Sequence, residues 1–296
     1  EIKFTDGEVF SSSSLINQFF SKLPPRTTTF LGKFREKYGS KEVLRTLQDL
    51  SSIRVLVIGE AIVDQYCYCT PLGKSPKETI IATKYASEEN FAGGSLAIAN
   101  HIAGFCRKVS LVTYLGQDNR FSDFIKSKLR PNIQFRPVRA HDRPTIIKRR
   151  YVEPTFLGKM FEVQYLDDAP LPADLEKKVL DVLKKSIPEF DLVVVADFGH
   201  GLMTENIREK ICSIKKFIAV NTQTNSANLG FNPVTKYRRV DYVCVHEGEL
   251  KLSLRNQYGD IQEMASKLRS AVSAKSLMVT RGPAGSMYIS NRGAVH

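Results

Sequence analysis

Carboxylates, glycines and cations recur in this sequence just beyond short apolar runs, where an α/β protein presents its ligand-facing loops. Asp64 stands a few residues after the run "VLVIGEA". A carboxylate there can accept hydrogen bonds from sugar hydroxyls, and a plain turn or cap role is the competing reading. In "NFAGGSLAIANHIAGF" (90–105), Gly93 and Gly94 lie at the mouth of an apolar helix rich in small residues. A helix start offers unpaired N–H groups to an anion or hydroxyl, and glycines let the main chain come close; a tight packing corner needs the same residues. In "IIKRRY" (146–151) the alternation of a strand puts Lys148 and Arg150 on one face and Arg149 on the other. Two cations converging on a pocket suit a phosphate, whereas the same charges on an edge strand guard against aggregation.

Further motifs close the later strands. Asp197 in "ADFGHG" (196–201) places a carboxylate beside two glycines at a strand's carboxyl end. The string DFG is also the magnesium-binding motif of protein kinases, but their Gly-rich loop, strand lysine and catalytic loop do not occur in the required order, which excludes that reading. "HEGE" (246–249) lacks the second histidine of a zinc-binding HExxH. Its Glu249 suits magnesium-bound water or phosphate, or simply the positive end of a helix. "VTRGPAG" (279–285) reads as a strand entering a Gly-rich turn that can approach a nucleotide.

The elements that must position these residues alternate regularly from Ser51 onward. "IRVLVIGEA", "KVSLVTYLG", "FDLVVVADFG", "KFIAVNT", "VDYVCVH" and "SLMVTRG" read as buried strands, separated by amphipathic stretches such as "PADLEKKVLDVLKKSI" and "DIQEMASKLRSAV". Apolar strands alternating with helices predict a parallel sheet covered on both faces. Residues 65–90 and 144–168 break the rhythm with alternating β-branched and aromatic residues and turn signals. They read as inserted strand pairs forming a small sheet, a lid over the carboxyl ends of the main strands. Residues 1–50 are Ser/Thr-rich with a Pro pair, then helical, and read as an extension rather than a domain.

Composition narrows the classes. The 296 residues are 42% hydrophobic and 25% charged, ordinary globular values. No apolar run approaches the ~18 residues of a membrane span, and no basic-then-apolar leader opens the chain. Five cysteines without disulfide-like spacing point to a reduced, cytoplasmic protein. A net charge of +12 suits an anionic partner, including a phosphorylated small substrate. Neither an RNA-binding signature nor zinc-finger spacing accompanies it, so neither nucleic acid nor membrane is expected as a partner.

Taken in order, "VLVIGEAIVDQY", "AGGSLAIANHIAGF", "VSLVTYLGQD", "PTIIKRRYV", "VVVADFGHG", "HEGE" and "LMVTRGPAG" resemble the ribokinase-like (PfkB) carbohydrate kinases over about residues 53–290. The nearest resemblance is to the heptose-7-phosphate kinase domains of bifunctional kinase/nucleotidyltransferase proteins. It implies a three-layer α/β fold with a mostly parallel central sheet and a small β lid. It also implies ATP and Mg2+ as cofactors. Asp64, Gly93 and Gly94 would hold the sugar, Lys148 and Arg150 a phosphate already on it, and Asp197 would face the substrate. Asn221, Thr280, Gly282 and Gly285 would lie at the ATP, with Glu249 reaching magnesium through water. The lid implies a homodimer contact, and "FTDGEVFSSSSLINQFF" resembles the end of a nucleotidyltransferase domain.

The chain departs from the family pattern at Ala97 and His246, both usually Asn, and at Asn221–Thr222, usually Asp-Pro. The family's catalytic base, the aspartate of a GAGD segment, belongs after the final strands and is not in this sequence, so the catalytic residue stays unassigned. The expected function is ATP-dependent phosphorylation of a sugar or sugar phosphate. The alternative is a degenerate kinase fold that binds sugar or nucleotide and dimerises. A nucleoside kinase would carry a more apolar lid than this cationic one.

Overall fold

The structure, a computed structural model, describes residues 23–117 and 120–295. The stretch read as the end of a nucleotidyltransferase domain, residues 4–20, lies outside the described residues. The chain divides into two compact units, Glu1–Ser51 and Ser52–His296. The first contains helices α1 (Pro25–Lys37), begun by a proline at its first position, and α2 (Ser40–Asp49).

The second unit is built on β1 (Arg54–Gly59). Its apolar run is buried on both faces: Val55 and Val57 join one hydrophobic cluster, Leu56 and Ile58 the other. That is the position of a central parallel strand. Along the chain follow β2 (Ala61–Lys74), β3 (Ile81–Gly94), α3 (Ser95–Ile102), β4 (Lys108–Gly116), α4 (Ser122–Lys128), β5 (Ile133–Ala140), β6 (Ile146–Val152), β7 (Lys159–Tyr165) and α5 (Ala173–Ser186). The series ends with β8 (Leu192–Asp197), α6 (Glu205–Cys212), β9 (Phe217–Thr222), β10 (Tyr242–His246), α7 (Glu247–Leu254), α8 (Ile261–Ala271), β11 (Ser276–Thr280), β12 (Ser286–Ser290) and β13 (Gly293–Val295).

The main sheet has the order β13-β12-β11-β10-β9-β8-β1-β4-β5 and is parallel from β5 to β11. This bears out the mostly parallel α/β fold. The antiparallel hairpin β12–β13 at one edge had no reading of its own in the sequence, because both strands are short. Leu175, Val179 and Leu183 of α5, at helical spacing, pack with Ile207 and Leu268 against one face of the sheet. Leu96 and Ala99 of α3 and Ile125 of α4 pack against the other. Leu56 is completely buried, and truncating it to Ala costs about 2–5 kcal/mol in such a core.

A second sheet of four strands, β3-β2-β6-β7, grows from the carboxyl ends of β1 and β5. Its first hairpin is longer than the expected 65–90. β2 and β3 stay paired down to Ala61 and Gly94, so this sheet leaves β1 after Glu60 alone and returns directly into α3. Among the described residues, no helix is long and apolar enough to cross a membrane, and all five cysteines are free thiols.

Candidate active site

The corner between the two sheets turns on Glu60, a residue the sequence reading passed over. It is fully buried, accepts hydrogen bonds from the Phe198 and His200 N–H groups at 2.9 and 3.1 Å, and its carbonyl accepts from Ser95 N–H at 2.9 Å. One residue thus ties the end of β1 to the loop after β8 and to the start of α3. Burial, reinforced by the nearby Asp197, pushes its carboxyl up to about 7. The available sequence signal was a charge inside an otherwise apolar run.

Gly94 adopts φ +56°, where a side chain is strained, and a Cβ there would lie 2.5 Å from the Glu60 carbonyl oxygen. At Gly93 a Cβ would collide with the Asp64 carboxylate. The glycine pair therefore lets the first lid hairpin close onto Glu60 and lets the Asp64 side chain lie across the main chain. The structure thus shows the packing corner.

Asp64, Lys148 and Arg150 share a face of the lid sheet, as their pairing across β2 and β6 requires: Asp64 stands opposite Lys148, and Tyr66 opposite Arg150. The two cations have different environments. Arg150 is paired with Asp64 at 2.5 Å and Glu162 at 2.8 Å, and its guanidinium lies over the Tyr66 ring. Lys148 is 6% exposed, and burial holds its ammonium below the usual lysine range. Arg149, on the other face, bonds Gln65 and Tyr165. A cavity of about 430 Å3 runs out from Asp64 and Arg150 along Tyr66, Tyr68 and Phe91 to Lys159.

Asp197, expected to face the substrate, lies at the end of β8 with its carboxylate engaged by internal partners. The side chain is fully buried, bonded to Lys236 Nζ and the Tyr237 hydroxyl at 2.6 Å each, and it caps the following turn through Gly199 N–H at 3.0 Å. The physical reason is the loop after β9. There Asn225 and Asn228 donate to the Phe198 carbonyl, and Asn232 donates to the Asp197 carbonyl. These asparagines crowd onto the end of β8, and sequence reading missed them although "NTQTNSANLGFN" is conspicuously Asn-rich. Beside them opens a cleft of about 570 Å3, lined in part by Asp197, Gly199, Gly201, Arg208 and Lys236.

At the other end of the carboxyl edge lie the residues expected to meet a nucleotide. Asn221 donates to the Cys244 carbonyl at 2.8 Å, bracing β9 against β10. Glu249 commits one oxygen to His246 N–H at 2.7 Å and the other to Thr224 N–H at 2.9 Å. With His246 accepting from Gly248 N–H, this is a capping box at the start of α7, so Glu249 first of all closes a helix end. Glu247 pairs with Lys251 at 2.7 Å and Arg281 at 2.9 Å, which hold its carboxyl down at about 2. Thr280 is exposed, and Gly282 (φ +54°) and Gly285 (φ +86°) have nothing within 4 Å of where a Cβ would stand. Among the described residues no group of three or more His, Cys, Asp or Glu is placed to hold a metal ion.

A mostly parallel sheet with a four-stranded lid rooted at its carboxyl edge defines the ribokinase-like class of α/β protein. Phosphofructokinase-2 from Escherichia coli, solved with fructose-6-phosphate, superposes with a TM-score of 0.62 over 82% of this chain and 79% of its own, at 12% identity. Ribokinase from Thermotoga maritima gives 0.56 over 82% and 77%, at 16% identity. The chain belongs to the pfkB family of carbohydrate kinases, whose pattern matches residues 52–296. Among curated relatives, the "Bifunctional protein HldE" of Hyphomonas neptunium is 24% identical over 247 residues, covering 82% of this chain and 50% of that protein. The protein of the same name from Rhodopseudomonas palustris strain TIE-1 is 25% identical over 254 residues, 83% and 51% of the two chains. The chain thus spans about half the length of these relatives.

Proposed function

We propose that this chain carries out ATP-dependent phosphorylation of a sugar or sugar phosphate, of the heptose-7-phosphate type. The observation that carries the reading is the convergence on one sheet edge of a carboxylate-and-glycine corner under a cationic lid and, beyond β9 and β10, an open Gly-rich turn. The acceptor lies between Asp64, the Gly93–Gly94 main chain and the lid. ATP lies at Thr280, Gly282 and Gly285, beside Asn221. ATP supplies the transferred phosphoryl group. Magnesium is carried on the nucleotide's phosphates and meets Glu249 only across water, since both oxygens of Glu249 are already bonded to backbone amides.

Phosphoryl transfer asks a protein mainly for positioning and charge neutralisation. On this reading Asp64 orients acceptor hydroxyls and Arg150 fixes Asp64. The lid excludes water when it closes, and its outer face serves a homodimer. A nucleotidyltransferase partner domain, of the kind the relatives' name "bifunctional" brings to mind, completes the proposal.

The second reading, a binding and dimerising module, is favoured by Ala97, Thr222 and His246 standing where the family carries other residues. Thermal shift with Mg-ATP, with sugar phosphates and with both, followed by ADP release, separates the two. Stabilisation by Mg-ATP and turnover with one sugar is the expected result. Stabilisation by a sugar phosphate with no response to ATP would leave the binding module.

A further inference from the structure

The loop after β8 is held from several sides. Its carbonyls go to neutral side chains: Asn225 and Asn228 donate to Phe198, and the Tyr114 hydroxyl donates to His200 at 3.4 Å. Asp197 takes Gly199 N–H and is itself tied to Lys236 and Tyr237. The two flanking amides, Phe198 N–H and His200 N–H, go one to each oxygen of the Glu60 carboxyl. Phe198 and His200 are buried, so water offers these amides no substitute.

The backbone of Glu60 shapes the opposite wall. Its carbonyl takes Ser95 N–H, and it is the atom that a Cβ at Gly94 would strike at 2.5 Å. The next residue is fixed as well, since Thr113 accepts the Ala61 N–H at 2.9 Å. Side chain and backbone of Glu60 thus set the spacing between the Gly93–Gly94 corner and a loop whose Gly199 and Gly201 line the cleft of about 570 Å3.

The titratable groups facing Glu60 are Asp197 at the end of β8, Lys148 on β6, Tyr114 on β4 and Tyr237 in the loop after β9. The two amide bonds favour the ionised carboxyl, burial and Asp197 the protonated one, and the balance lies at about 7. A carboxylate accepts from both amides. A neutral carboxyl turns one oxygen into a hydroxyl with a proton of its own, which weakens one amide bond in a place closed to water.

We propose that Glu60 is a positioning residue of the acceptor corner: its carboxylate locks the loop after β8 at the distance from Gly94 and Ser95 that the acceptor requires, and its protonation releases that loop. This rests on the carbohydrate-kinase reading and adds to it a residue that acts without touching the acceptor. The acceptor binds the locked form, so its affinity rises as Glu60 loses its proton. ATP, at the far end of the sheet on that reading, does not sense the change.

The test is ADP release by the full chain between about pH 5.5 and 8.5, with hexose 6-phosphates and heptose 7-phosphates as trial acceptors. Acceptor and ATP are varied separately. Amide hydrogen exchange of the substrate-free protein is followed over the same range and corrected for the intrinsic pH dependence of exchange. In the parent, the acceptor KM should fall about tenfold as pH rises through about 7 while the ATP KM stays level. Protection of the 198–200 amides should rise with the same midpoint. Glu60→Gln should hold the acceptor KM at the parent's low-pH value and flatten both profiles. Glu60→Asp keeps an ionisable group and should restore a limb in both. A residue that served stability alone would lower the melting temperature and leave these profiles unchanged.

The proposal is overturned if the parent's acceptor KM or the exchange at 198–200 is level across the range, or if a folded Glu60→Gln variant keeps either limb. If that variant does not fold, the parent's two profiles decide, and midpoints that disagree overturn the proposal. Exchange with the expected limb but no ADP release from any trial sugar breaks the kinase reading and leaves the lock standing. ADP release with level profiles does the reverse.

Discussion

On the lid side of the sheet, a Cβ added at Gly59, Gly94 or Gly201 would run into backbone oxygens of Ala196, Glu60 and Ala169, whereas at the far end Gly282 and Gly285 have open space around them. Charges follow the same division. Around Glu60 they are interlocked: the buried Asp197 with Lys236 and Tyr237, and, at the lid, Asp64 with Arg150 and Arg150 with Glu162. Around the Gly-rich turn the carboxylates serve helix capping and surface pairing. On the proposed reading, the acceptor side is thus preorganised by its own packing. The proposed nucleotide side is held by backbone conformation and leaves open space around its glycines. Rigidity placed at the acceptor and openness at the nucleotide suits a reaction in which one substrate must be oriented and the other loaded and released.

This contrast can be broken most sharply at Asp197. Asp197→Ala leaves the Tyr237 hydroxyl without its acceptor and Lys236 with Asn232 alone, and should cost about 3–5 kcal/mol, read as the shift of a urea unfolding midpoint. A loss below 1 kcal/mol would mean that the interlocked charges are not what stiffens the acceptor side.

The two positive-φ glycines sharpen the comparison further. Gly94→Ala meets both a strained φ and a collision with Glu60, and should lose about 3 kcal/mol. Gly282→Ala meets the strained φ alone and should lose about 1 kcal/mol, with a larger effect on ATP affinity than on stability. Equal losses would erase the distinction between the two ends.

Between those two in size lies a pH effect confined to the acceptor side. Glu60, raised to about 7 in the folded chain, contributes stability that is complete below about pH 4.5 and lost as pH rises toward 7. His200, lowered to about 4, works the other way: folding excludes its proton, so its contribution grows as pH rises from about 4 to 6.5. The two slopes oppose each other, which flattens the parent's stability across that interval. His200→Gln should unmask the falling limb, and Glu60→Gln the rising one. Thermal melts between pH 4 and 7.5 check both, and parallel profiles in parent and variants would remove these groups from the account.

The order of the central strands β1, β4, β8, β9, β10 and β11 was readable because each is a short apolar run, and helices such as α5 and α8 because they repeat near 3.6, both local patterns. The Gly-Gly corner, the alternation of Lys148 with Arg150 and the turn at 279–285 were readable for the same reason: each is a contiguous motif whose backbone demands are local. Glu60, His200, Tyr237 and the asparagines at 225, 228 and 232 were not. Their roles come from segments tens to more than a hundred residues apart meeting at the end of β8, and no local pattern records a meeting.

The sequence also could not say that Arg150 is already paired while Lys148 is not. Both are cations on one strand face. What separates them is Glu162 on β7, opposite Arg150 in register, and the depth at which Lys148 is buried. By itself, then, the sequence determined the α/β scaffold, the lid and the family's string of motifs, because covalent neighbours set backbone propensity and burial pattern. Only the tertiary structure decided which charges are free to meet a ligand, because pairing and desolvation belong to groups brought together across the fold.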